Sequence, residues 1–193
     1  MADLAHTVSL LAGVALFRRQ ALVALAGAPA LSVVCVPLLA GLSEMAGQSF
    51  VLVTRRVRLL HAIASYALTA LVHVAAVAAW TWVALALFQF GNSAHTSSRL
   101  IFGVVAACYA PRLLGILTIA PYYGELLGRG LDAWTMACVG WGLFAVAGLS
   151  LGAAMLCACA GWTANHIIRH FGSYLSAPIF DRLGLIIGGA PSV

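Results

Sequence analysis

Four ionisable side chains stand in or against apolar runs long enough to lie in lipid: Arg112, Glu125, Arg129 and Asp132. Burying such a group costs at least about 2.5–3.5 kcal/mol on insertion scales, so each is a candidate functional residue. Glu125 and Arg129 are four residues apart and share one face of a helix, where they can pair, and Asp132 lies three further along the same stripe. The chemistry open to such a stripe is a proton or anion path, with Arg112 facing Glu125 across the bend at Pro121-Tyr122-Tyr123-Gly124. The plainer reading is a headgroup-level or helix-capping cluster.

Six histidines raise the question of haem, which two helices can clamp through one axial histidine each. His61 and His73, twelve residues apart on one helix, are separated by about 18 Å of rise. His166 and His170 lie at a span end beside Arg169, and neither HExxH nor CxxCH occurs. No cofactor and no metal is expected. His73 alone is mid-span, where it reads as an interhelical hydrogen-bond partner. Cys35, Cys108, Cys138, Cys157 and Cys159 sit in or beside apolar runs as small hydrophobes, and no disulfide framework is implied.

The elements that position these residues are helices in a membrane. Of 193 residues, 63% are hydrophobic and 8% charged, with a mean hydropathy of +1.04, which leaves too little polar surface to coat a soluble domain. At about 20 residues per crossing, five spans are expected: 21–42 (with Pro29 and Pro37 inside), 59–90, 100–120, 126–147 and a weaker run 148–168. The last two are separated at Gly148-Leu149-Ser150-Leu151-Gly152; one long tilted helix there would give four. The fold class is thus an all-α polytopic transmembrane bundle.

All ten basic residues are arginines, against five acids. Five crossings place Arg55, Arg56, Arg58, Arg129, Arg169 and Arg182 on one side, expected to be cytoplasmic. Arg18, Arg19 and Arg99 fall on the other. A first segment that dips in and returns fits the arginines better, but puts irregular backbone in lipid, and a full crossing is preferred. The arginine bias reports topology and anionic headgroups, and nucleic acid is not an expected partner. Residues 1–20 are expected to form an amino-terminal segment that is retained, while 45–60, with Arg55, Arg56 and Arg58, and the tail 169–193 look interfacial. Gly124 with Gly128, and Gly148 with Gly152, have the spacing that permits close helix packing.

The stretch 84–150 resembles the Yip (Ypt/Rab-interacting protein) family of integral membrane proteins. The resemblance is carried by Phe90-Gly91-Asn92, Tyr109-Ala110-Pro111, Pro121-Tyr122-Tyr123-Gly124, Trp134 and Gly142-Leu143. It implies five spans and a structural role for Tyr109, Pro111, Pro121, Gly124, Trp134 and Gly142, in a family without established catalytic residues. The expected function is therefore a non-enzymatic scaffold or membrane-organising protein in a bacterial inner membrane. Bound lipid and membrane-protein partners are expected with it, met by Arg55, Arg56, Arg58 and the charged stripe. Two alternatives are an accessory subunit of a larger, for example bioenergetic, membrane complex, and a small transporter or channel using Arg112, Glu125, Arg129 and Asp132.

Overall fold

A computed structural model describes residues 2–54, 59–90, 97–120 and 122–168. Among them the elements are helices joined by short turns: α1 (Ala2–Ala15), α2 (Arg19–Ala26), α3 (Ala30–Thr54), α4 (Leu59–Phe90), α5 (Ser98–Ala107), a 3-10 segment (Ala110–Ile119), α6 (Gly124–Ala145) and α7 (Leu151–Ile168). The all-helical expectation holds. Three stretches are long and apolar enough to cross a membrane: Tyr66–Leu87 within α4, Ser98–Ile119 formed by α5 with the 3-10 segment, and α7.

The first expected crossing is broken. Gly27, Ala28 and Pro29 separate α2 from α3, and the chain turns through 111° there, so the straight passage over 21–42 is replaced by a bent pair. Gly27 and Ala28 close α2 through hydrogen bonds to Val23 and Leu25, and Pro29, which cannot continue a helix hydrogen-bond ladder, precedes α3. Pro37 is absorbed inside α3 instead. Counting the bent pair as one span gives four. The expected span 126–147 is a helix, but α6 is not among the crossings because Glu125, Arg129 and Asp132 charge its first half. Residues 45–54, expected to lie apart as an interfacial strip, continue α3 without interruption.

The cut near Gly148 is where the sequence places it. Gly148 has φ +73°, a left-handed value that glycine adopts without penalty, and α7 begins three residues later. One long tilted helix is excluded. Gly148 and Gly152 have no neighbours within 4 Å of a β-carbon position, so this pair does not bring helices together.

The core draws on every α-helix, α1 to α7, and is built mostly from small and branched side chains, with Leu22, Val33, Val77, Ile101, Val104, Val105, Val139, Leu143 and Ala158 buried. Gly142 lies against Leu22, Val104 and Cys108, where α6 meets α2 and α5. Trp134 donates its indole N–H to the Ala15 carbonyl at 3.0 Å, tying α6 to the end of α1. Tyr109, fully buried, packs edge-on to both His73 and Trp80 of α4 with centroid distances of 6.3 and 6.2 Å.

Candidate functional site

The 3-10 segment sets the geometry of the site. Runs of more than three or four 3-10 residues are uncommon, and here ten follow one another, started by Pro111 at the position where its missing N–H costs nothing. At three residues per turn, side chains three apart align in a column. Arg112, Gly115 and Thr118 are so spaced and face one cleft of about 370 Å³. On α6, Gly124, Gly128, Leu131 and Asp132 recur at the helical spacing of four, seven and eight, and form the facing wall. The third wall is α3, which contributes Glu44.

α3 and the 3-10 segment approach at backbone distance. A β-carbon on Gly115 would stand 2.9 Å from the Glu44 nitrogen, and one on Gly47 would stand 2.6 Å from the Gly115 carbonyl oxygen. Ser43 fastens this crossing: its hydroxyl donates to the Leu113 carbonyl at 2.7 Å and accepts from the Ile116 N–H at 3.0 Å. Glu44 is thereby held beside Arg112.

Arg112 is 5% exposed. One terminal nitrogen donates to Glu44 Oε2 at 3.0 Å, the other pairs with Asp132 Oδ1, and the guanidinium carbon lies 5.8 Å from the Tyr109 ring centre. The same Glu44 Oε2 meets His73 Nε2 at 3.1 Å, and His73 Nδ1 lies 2.9 Å from the Thr69 carbonyl oxygen. Four elements thus bring one ionisable group each into a continuous polar cluster.

The expectation that Arg112 faces Glu125 is corrected. From Ile119, seven 3-10 residues reach back about 14 Å to Arg112. From the start of α6, eight residues reach about 12 Å to Asp132. These depths match, whereas Glu125 sits one residue into the helix and meets Arg129 on the exposed face at 2.5 Å. Both members of that pair are more than three-quarters exposed, so Glu125→Gln is expected to change unfolding stability by less than about 0.5 kcal/mol. Chemical or thermal unfolding in detergent checks this.

The interhelical role expected of His73 is present. Glu44 was not singled out by spacing, yet a signal existed: a buried arginine requires a carboxylate, and few acids are available in the chain. Gly124, close against the Thr118 carbonyl, and Gly128 both line the cleft. Arg55, Arg56, Arg58, Pro121, Gly91, Asn92, His170 and the tail 169–193 lie outside the described residues. Among the described residues no group of three or more His, Cys, Asp or Glu side chains is arranged to hold a metal ion.

No family model, curated protein or solved structure matches the chain.

Proposed function

We propose that the chain is a small polytopic transporter or channel that admits a proton or small cation through the charged cleft. The carrying observation is the convergence of Glu44, Arg112 and Asp132, from three elements, on one partly open cavity, with His73 of a fourth element paired to Glu44 behind it. Ionisable groups within membrane segments commonly mark ion pathways and proton relays because a merely structural role is served more cheaply by apolar packing. Glu44, Glu125 and Asp132 outnumber Arg112 and Arg129 in the lining, so the cleft favours a cation. With Tyr66–Leu87 and Ser98–Ile119 as successive crossings, His73 lies about 10 Å from one end of the first and Arg112 about 14 Å from the adjoining end of the second. The cluster then sits inside the bilayer, reached from the side that bears the start of α6.

Reconstitution tests this reading. Liposomes carrying the pure protein, with a pH-sensitive or a sodium-sensitive dye inside, are expected to dissipate an imposed proton or sodium gradient, and Asp132→Asn is expected to slow that flux at least tenfold. Flux equal to that of empty liposomes with a folded protein overturns it.

A second reading keeps the resemblance to the Yip family: a non-enzymatic scaffold or accessory subunit of a bacterial inner membrane that binds lipid or partner proteins. The apolar outer faces favour it, with Leu71 and Trp82 of α4 and Leu151 and Leu156 of α7 well exposed. Extraction in mild detergent distinguishes the two, since a stoichiometric complex supports the second reading and a lone, conducting protein the first.

A further inference from the structure

We infer that the cluster holds one resident proton between His73 Nε2 and Glu44 Oε2. The inference concerns the same cleft as the proposed function but does not require that anything be transported.

The Thr69 carbonyl oxygen can only accept, so His73 Nδ1 carries a hydrogen and donates to it. Were Nε2 then bare, its lone pair would point at a carboxylate oxygen 3.1 Å away, two acceptors facing each other in a site where His73 is 2% exposed. A proton on either atom removes the conflict. On Nε2 it makes an imidazolium donating to the Glu44 carboxylate; on Oε2 it makes a carboxylic acid donating to a neutral imidazole. Arg112 does not settle this contact, since its terminal nitrogen approaches the same oxygen as a second donor, which an oxygen with two acceptor sites accommodates.

The charges of the described residues point the same way. From α3 comes Glu44, from α6 Asp132 and from the 3-10 segment Arg112, a sum of one negative charge. Among the described residues His73 from α4 is the other titratable group in contact with Glu44, and Tyr109 presents its ring edge-on to His73. Glu125 and Arg129 cancel each other at the outer end of the cleft. One added proton makes the buried cluster neutral, the state a low-dielectric interior favours. Because the cleft reaches both Glu44 and Asp132, that proton has a route out through the cavity.

Vibrational and magnetic-resonance spectroscopy of the intact, reconstituted protein in neutral buffer locate this proton without relying on flux. Two results support it: a single histidine with hydrogens on both ring nitrogens, or a protonated-carboxyl stretch that shifts in heavy water. Either signal should be lost in Glu44→Gln and assigned to His73 by its loss in His73→Gln. Wild-type protein showing one proton-free nitrogen on every histidine, and no protonated carboxyl, overturns the inference even if both variants fail to fold. The proton signal with no ion flux leaves this inference standing and removes the transport reading; sodium flux with no such signal does the reverse.

Discussion

Glu44→Ala is expected to lower the stability of the folded protein by about 3–5 kcal/mol, the loss seen when one partner of a buried ion pair is removed. One oxygen of Glu44 serves both Arg112 and His73, so the substitution strips two buried groups at once. Arg112 keeps Asp132, which is more exposed than Glu44 and neutralises it less completely. The double variant Glu44→Leu with Arg112→Met should recover part of the loss, because it removes the buried guanidinium that Glu44→Ala leaves short of a partner, while Asp132 and His73 still lose theirs. Thermal unfolding of the three proteins in one detergent tests the order: wild type and double variant above Glu44→Ala. A Glu44→Ala protein that melts with the wild type would show that the cluster is solvated rather than buried.

The second large effect concerns backbone. Gly115→Ala sets a β-carbon against the Glu44 nitrogen and Cα, atoms that cannot swing aside as a side-chain tip does. Overpacking of this kind costs about 1–3 kcal/mol. It also pries α3 from the 3-10 segment and stretches both Ser43 hydrogen bonds. Gly130→Ala provides the opposite sign. Gly130 is helical, exposed and without neighbours within 4 Å of a β-carbon, so alanine should raise stability by about 0.5–1 kcal/mol. Equal behaviour of the two alanine variants in unfolding would refute the close crossing.

These predictions show which physical signals the residues carried on their own. Long apolar runs made α4, α5 and α7 readable, because a span needs only length and absence of charge, and the break at Gly148 announced itself by composition. The position of the bend at Gly27-Ala28-Pro29 is not legible in the sequence. Proline inside an apolar run reads alike whether it ends a helix, as Pro29 does, or is tolerated within one, as Pro37 is, and only packing separates the cases. The charged stripe is legible from its spacing, but which of its acids meets Arg112 is not. Arg112 and Asp132 meet because a 3-10 run and an α-helix leave one turn with different rises per residue, and a helical reading of 110–119 hides that register. Glu44 is 68 residues from Arg112, and no local pattern reports so distant a contact. The membrane character expected from composition agrees with three helices able to cross, while the resemblance over 84–150 remains a proposal.

Ten consecutive residues wound at three per turn have a mechanical consequence. From Arg112 to Thr118 are six steps, which turn through about 720° in a 3-10 helix and about 600° in an α-helix. Rewinding that stretch as α-helix would swing Thr118 a third of a revolution from beneath Arg112 and shorten the strut by about 3 Å. The 3-10 segment therefore acts on the cleft as a screw thread does on its nut: pitch and alignment cannot change separately, and the column of Arg112, Gly115 and Thr118 exists at one setting only.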